Sequence, residues 1–145
     1  MGFKAWNIKE LNLSLNAVPL DGGGYAEDEV LTIDWTEDWY MKYVGADGEV
    51  TRTRTNNFSA TATLKYAQTA DANDRLSAML SADIAVLNGA ACGVFMARDL
   101  AGRLLVTSAR AWIVAPPAIK LGKTVQVYEW KIDLADARTS FFGGR

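Results

Sequence analysis

Alternation of apolar and polar residues at every second position is the feature that most limits what this chain can fold into. In the first such run, Leu11, Leu13 and Leu15 alternate with asparagine and serine. This spacing is typical of a strand with one face on a core and the other on water or a partner. The same period recurs over residues 58–66 and 124–134. The sequence therefore predicts a mostly β protein.

A long hairpin is predicted in the first half of the chain. In residues 31–43 the odd-numbered positions are apolar except for Glu37. This interruption of the apolar face indicates a bulge or bend. The segment 45–48 reads Gly-Ala-Asp-Gly, a strong turn signal because Asp-Gly suits positive φ. The return strand over 49–56 is polar on both faces. Such a strand cannot lie over a monomer core, so we expect an exposed arm, a channel lining or a strand that pairs with a partner.

One helix is predicted between the strands. Leu76, Met79 and Leu80 lie at i, i+3 and i+4 and form one apolar stripe that favours packing on a core. Asp71 is the predicted N-cap. The chain is β-like again after this helix, and no linker or repeat divides it. We predict a single domain over residues 1–145 that is mainly β (α+β), a β-sandwich or open barrel with one packed α-helix.

The composition is unfavourable for most catalytic and metal sites. Because the chain contains no histidine, it can form neither a Ser-His-Asp triad nor a histidine metal site. Its one cysteine, Cys92, lies in an apolar run that is typical of a small buried core residue. The adjacent acids Glu37 and Asp38 would point to opposite faces of a regular strand rather than into one cleft. We expect a protein that is not an enzyme and that uses no cofactor or metal.

Acidic residues are concentrated at the predicted hairpin. The formal net charge is −2, which argues against sequence-specific binding of nucleic acid. Six acids and no base lie between Glu27 and Asp38. They either form a solvated face, line a pore that repels DNA phosphates within a Debye length of ~10 Å, or meet arginines of a neighbouring copy. The candidate lumen or inter-subunit residues are Asp34, Glu37, Asp38, Asp47, Arg52 and Arg54.

Two segments carry a resemblance to a known family. They are the Gly-Ala-Asp-Gly-Glu turn at residues 45–49 and the stretch from Leu64-Lys65 into Leu76-Ser77-Ala78-Met79. In this order, between an N-terminal alternating strand and a last strand that contains Trp130, the chain resembles the small tail tube proteins of tailed phages. The resemblance covers most of the chain. It implies a β-sandwich with one helix, hexameric rings, and rings stacked into a hollow tube.

The same resemblance implies the partners and the location of the protein. The first partner would be the chain itself, and the others would be tape-measure, tail terminator and baseplate proteins, with a sheath in a contractile tail. DNA or cargo would pass non-specifically, and no membrane would be involved. The location would be the virion tail, after assembly in the host cytoplasm. The hairpin through Asp47 and Gly48 would contact the next subunit or ring.

Two other functions stay open from the sequence. A tail terminator or a ring-forming injection tube protein would use the same scaffold. A small-ligand or carbohydrate-binding β-barrel could use Trp35, Trp39 and Tyr43, which alternation places on one face. Because the opposite face is polar, we expect these three rings to lie in the core rather than on a binding platform.

Overall fold

The computed structural model describes residues 7–21, 23–27, 29–86, 92–99 and 104–141. This part of the chain contains ten strands, one α-helix and one 3₁₀ turn. In chain order they are the 3₁₀ turn Ile8–Glu10, β1 Leu11–Leu15, β2 Val18–Pro19, β3 Leu31–Trp35, β4 Tyr40–Val44, β5 Val50–Arg54, β6 Ala60–Ala67, α1 Asp71–Ala85, β7 Gly93–Asp99, β8 Leu104–Ala115, β9 Val127–Leu134 and β10 Ala137–Phe141. The prediction of a mainly β fold with one helix is confirmed.

Eight of the strands form one antiparallel sheet. Seven follow the order β2-β1-β7-β8-β9-β6-β3, and β10 pairs with β8. β9 and β10 run one after the other along the same edge of β8, because Leu134 lies opposite Ala111 and Ala137 lies opposite Ser108. β4 and β5 pair only with each other in a separate two-stranded sheet. That small sheet extends the hairpin formed by β3 and β6.

The core lies on one face of the large sheet, where the alternating residues are buried. In β1 the three predicted leucines are buried, and in β6 every second residue from Ala60 to Tyr66 is buried. β9 contributes Trp130, Ile132 and Leu134 to the same core. The polar residues between them point away from the core, as the period of two predicted.

The helix α1 packs on this core through the predicted stripe. Leu76 is fully buried, and Met79 and Leu80 are partly buried against the core cluster. The N-cap is Ala70, which makes no side-chain capping bond, so the prediction that Asp71 is the cap is wrong. Asp71 is instead the first helical residue, where its charge lies near the positive end of the helix dipole.

Asn73 connects the helix to the sheet. Its Nδ2 donates to the main-chain oxygens of Ala67, at 2.9 Å, and Gln68. Its Oδ1 accepts a bond of 2.9 Å from the indole Nε1 of the buried Trp130. One side chain therefore fixes the loop after β6, the first turn of α1 and the middle of β9. Among the described residues, no helix is long and apolar enough to cross a membrane.

Candidate assembly surfaces

The most exposed element of the chain is a hairpin arm that comprises β4, β5 and their turn, residues 40–54. Its five cross-strand pairs run from Tyr40 opposite Arg54 to Val44 opposite Val50. Every residue of both strands is exposed. At about 3.4 Å per residue, each strand is about 17 Å long. The arm contributes nothing to the core of a single chain, which is the arrangement expected for a contact with another molecule.

The turn of the arm is held by local hydrogen bonds. The amide of Gly45 donates to the carbonyl of Glu49 at 2.8 Å, and the amide of Gly48 donates to the carbonyl of Gly45 at 2.9 Å. Asp47 Oδ1 accepts from the amide of Glu49 at 3.0 Å. Gly48 has a φ of +87°, a conformation that glycine adopts without steric cost. The structure thus gives Asp47 a role in shaping the turn.

The two faces of the arm differ in chemistry, because residues directly opposite each other share a face. Lys42 lies opposite Arg52 and Tyr40 lies opposite Arg54, so three cations share one face, here called the basic face: Lys42, Arg52 and Arg54. The guanidinium of Arg52 stacks 4.4 Å from the ring centroid of Tyr40. The opposite face carries Met41, Tyr43, Thr51 and Thr53. The arm therefore presents a cationic surface and an uncharged surface.

Aromatic packing anchors the root of the arm. Trp39 packs edge-to-face against Trp35 at 5.6 Å and against Phe58 at 5.1 Å between ring centroids. The guanidiniums of Arg138 and Arg54 lie 4.1 and 5.1 Å from the Phe58 centroid. Trp35 Nε1 donates to the carbonyl of Ala137 at 3.2 Å. These contacts tie the arm to the start of β10.

The expectation that Trp35, Trp39 and Tyr43 share the core is wrong for Tyr43. Trp35 and Trp39 are half-buried, but Tyr43 is 68% exposed. The cause is the break between β3 and β4 at residues 36–39, which lies where Glu37 predicted an interruption. Beyond that break the arm has no sheet behind it, so Tyr43 has nothing to pack against. Cys92, predicted to be buried, is only partly buried.

The acidic candidates lie in three separate places. Asp34 is exposed on β3 opposite Thr61, Glu37 and Asp38 are exposed in the break, and Asp47 is in the turn. Ion pairs in the described ranges link Lys65 to Glu29, Lys65 to Glu129, and Arg138 to Asp136. Among the described residues, no acid forms an ion pair with the basic face of the arm.

An acidic cleft lies beside the far ends of β6 and β9. Its carboxylates are Glu27, Glu29 and Glu129, and its volume is about 580 Å³. Lys65 Nζ lies 3.6 Å from Glu29 and 3.8 Å from Glu129. The remaining wall includes Tyr25, Val125 and Val127. With three carboxylates against one ammonium group, the cleft carries an excess of negative charge.

Tyr25, which lines this cleft, packs on the buried Tyr66. Tyr66 is fully buried and donates to the carbonyl of Leu20 at 2.7 Å. Tyr25 stacks on it with 5.8 Å between ring centroids. Burial raises the pKa of the Tyr66 hydroxyl far above its usual value, and burial followed by the charge of Asp21 raises the pKa of Tyr25. Both hydroxyls therefore stay neutral in any ordinary buffer.

Sequence reasoning identified the acids near residue 27 but not the cleft they form. The signal that was present is alternation, which places Glu129 on the polar face of β9. What was missing is the register, which sets Lys65 opposite Glu129 across more than sixty residues of sequence. A strand pattern gives the face of a residue but not its cross-strand neighbour.

An exposed apolar surface borders the cleft. In the segment between β8 and β9, Ile119 and Leu121 are 82% and 79% exposed, and Val125 is 63% exposed. The segment is linked to β9, because the hydroxyl of Tyr128 donates to the carbonyl of Lys120 at 3.2 Å. An ordered apolar loop of this kind is typical of a protein contact surface.

Comparison with known proteins assigns these surfaces to a family. The family model of the Bacteriophage PhiTE tail tube protein matches residues 16–141. The chain belongs to this tail tube family. The match covers the arm, the acidic cleft and every strand of the large sheet except β1, so it includes every surface described above.

A relative from another phage agrees with this membership. Structural protein ORF10 of Pseudomonas phage KPP10 is 28% identical to this chain over 113 residues. These residues are 78% of this chain and 65% of the phage KPP10 protein. The chain therefore spans a little under two thirds of that relative.

The solved structures support the fold alone, because their sequence identity is low. The tube terminating cap of an anti-feeding prophage matches with a TM-score of 0.61 and 10% identity, over 98% of this chain and 95% of the cap. A chain of the sheath-tube complex of an extracellular contractile injection system, PVC, matches with a TM-score of 0.55 and 11% identity. The match covers 94% of this chain and 91% of that chain.

The tail tube family and the matched proteins are structural proteins, not enzymes. The predictions of a tail tube family member and of a non-enzyme are therefore confirmed. The placement of lumen and inter-subunit residues stays a prediction.

Proposed function

We propose that this chain is the repeating subunit of a phage tail tube, assembled as hexameric rings that stack into a hollow conduit for DNA or cargo. The observation that carries the proposal is the family match over residues 16–141 together with an arm that is exposed along its whole length. A single chain gains no core packing from these five cross-strand residue pairs. A repeating assembly gives each arm a neighbour to contact.

The open side of the sheet supports lateral contact between copies. Among the described strands, β3 pairs only with β6, so its other edge is unpaired. An apolar groove lies beside it, between Ile33 and Trp35 on β3 and Val106 on β8. The hydroxyl of Thr139 is buried in the wall of this groove without a hydrogen-bond partner. A ring of copies would cover both the edge and the groove.

The polar face of the sheet is the proposed lumen wall. Asp34, Thr61 and Asp133 form one cross-strand row on it, and the Thr61 hydroxyl donates to Asp133 at 3.3 Å. Repeated around a ring, these carboxylates would form a negative wall that repels DNA phosphates. Glu37 and Asp38 are exposed in the break after β3, where we propose that they continue this wall toward the arm.

The proposed partners follow from a place in the tail. They are further copies of the chain, tape-measure protein in the lumen, terminator and baseplate proteins at the two ends, and a sheath if the tail contracts. DNA passes without sequence-specific contact, and no membrane is a partner. Assembly takes place in the host cytoplasm, and the final location is the virion tail.

Electron microscopy of the purified protein tests this proposal. Negative-stain images at high protein concentration, with and without sheared fragments of the virion tails that carry this chain, are expected to show hollow rings and tubes. Light scattering would measure the mass of the smallest closed species, which is expected to be six chains. A protein that stays monomeric even beside tail fragments would overturn the proposal.

Reversal of lumen charge is expected to change DNA adhesion without affecting assembly. Asp34→Lys with Asp38→Lys replaces two exposed carboxylates that have no ion pair within the described ranges. Tubes of this variant should retain fluorescent DNA that wild-type tubes release, and added salt should reduce the retention steeply. The measurement is co-sedimentation of tubes with labelled DNA.

The control for that variant carries the same charge change on the helix. The control is Asp74→Lys with Asp83→Lys. Both residues belong to α1, which packs on the core side of the sheet through Asn73 and Trp130 and not on its polar face. Equal DNA retention by both double variants would show that net charge alone is responsible. Loss of folding by the first variant would instead place Asp34 and Asp38 in structural roles.

A terminator is the second candidate, because the cap of the anti-feeding prophage gives the higher TM-score of the two structures compared above. A terminator would close one ring and not elongate. The ligand-binding alternative loses its motivation, since Trp35 and Trp39 pack edge-to-face at the root of the arm while Tyr43 lies apart on the arm. A length distribution in the microscopy separates a tube subunit from a terminator.

A further inference from the structure

We propose that the basic face of the arm of one copy docks into the acidic cleft of the next copy, so that successive copies join head to tail along the strand direction. This proposal rests on the proposed function, since it requires copies to assemble. It adds the surface that receives the arm. The two surfaces are Lys42, Arg52 and Arg54 on the donor, and Glu27, Glu29 and Glu129 on the acceptor.

The first argument is position, because the two surfaces lie at opposite ends of the same strands. The arm leaves the sheet where Trp35 lies opposite Ala60. The cleft lies where Lys65 pairs with Glu129 and Ala67 with Val127. Between Ala60 and Ala67 the strand rises by about 23 Å at about 3.3 Å per residue. The arm therefore extends away from the cleft of its own chain and is free for another.

Surfaces of this kind join copies in one direction. A contact between two different patches is heterologous, and it leaves a free arm at one end of the stack and a free cleft at the other. Repetition along the strand direction gives a stack rather than a closed pair.

The second argument is charge. The basic face has three cations, and none has an ion pair in the described ranges. Lys42 and Arg52 lie directly opposite each other, a like-charge pair that is unfavourable until an anion joins it. In the cleft, Lys65 is shared between Glu29 and Glu129, and Glu27 forms no ion pair with any described residue. Complementary charge of this kind steers association and fixes register.

The third argument is the apolar residues that accompany these charges. Val44 and Val50 lie opposite each other at the tip of the arm, on the same face as Lys42, and they are 54% and 60% exposed. Val125 and Val127 line the cleft. A volume of about 580 Å³ accommodates several side chains rather than a whole hairpin. The tip valines therefore match the cleft in size, while the cations reach its acidic rim.

A charge swap between the two surfaces tests the contact. Arg52→Glu and Glu27→Arg each alter an exposed side chain, so the fold should survive, as far-UV circular dichroism would check. Each single variant is expected to form rings but to need about tenfold more protein for elongation. The double variant should elongate at nearly the wild-type concentration. An equimolar mixture of the single variants should do the same, because alternating copies then present matched charges.

The controls carry the same charge changes elsewhere. Arg98 is exposed on β7, and Asp83 lies near the end of α1. The variants Arg98→Glu and Asp83→Arg should therefore both elongate as the wild type does. If the wild type forms tubes and the single variants elongate equally well, this contact is wrong while the tube function stands. If the single variants are impaired but neither the double variant nor the mixture recovers, the pairing is wrong. A wild type that forms no assembly overturns both proposals.

Discussion

Deletion of Gly45–Glu49 is expected to leave a folded chain that cannot stack. The residues removed form the turn of the arm, and every strand residue of the arm is exposed. The core therefore loses no buried contact, and the thermal unfolding midpoint should change by less than about 3 °C. Val44 and Val50 would become part of a new turn, so the tip would lose both its shape and its apolar pair. Elongation in electron microscopy should be abolished, while single rings remain.

Asp47→Asn is the matched control for this deletion. Asparagine keeps the oxygen that accepts the bond from the amide of Glu49 and removes only the charge. If the turn matters for its shape, this variant should elongate like the wild type. Failure of Asp47→Asn would instead give the Asp47 charge a direct role between subunits. Normal elongation of the deletion variant would contradict the assignment of the arm.

The sequence predicts the strands well because burial follows their period of two. The buried positions are the ones that the alternation indicates: the three leucines of β1, every second residue of β6, and the even-numbered residues of β9 from Trp130 to Leu134. The break near Glu37 and the exposed return strand are also visible, since each is a departure from that period. These features are local, and a local pattern determines them.

The register and the neighbours of each strand are not local. Nothing near Lys65 indicates that Glu129 lies opposite it, and nothing near Ala137 indicates that it follows β9 along the same edge of β8. The pairing of distant strands depends on the whole packed sheet. For this reason the acidic cleft, which needs residues from three parts of the chain, is absent from the prediction, although its acids near residue 27 were identified.

The helix shows the same limit at a smaller scale. The stripe of Leu76, Met79 and Leu80 is predicted correctly because it follows from spacing alone. The start of the helix is not, since Ala70 occupies the cap position and Asn73 makes the bonds that a cap would otherwise supply. Those bonds depend on the loop after β6 and on Trp130, which sequence spacing does not place.

Trp130→Ala is expected to produce the largest loss of stability of any single substitution in this chain. Trp130 is the largest of the fully buried side chains and lies in the middle of β9. Its removal leaves a cavity and an unpaired Asn73 oxygen between the helix and the sheet. Truncation of a buried tryptophan costs about 3–5 kcal/mol. For a chain of this size the unfolding midpoint should fall by about 10–15 °C.

Trp130→Phe separates the two parts of this effect. Phenylalanine fills most of the volume but cannot donate to Asn73, so its cost should be about 1–3 kcal/mol. Calorimetry of both variants, with Trp112→Ala as a control on a partly exposed tryptophan, measures the difference. Because β6 and β9 carry residues of both the core and the cleft, and the arm begins where β3 pairs with β6, the Ala variant should also fail to form rings at temperatures where Trp112→Ala assembles. Normal assembly by a destabilised Trp130→Ala protein would show that neighbouring copies, rather than this core, hold the subunit in its assembling shape.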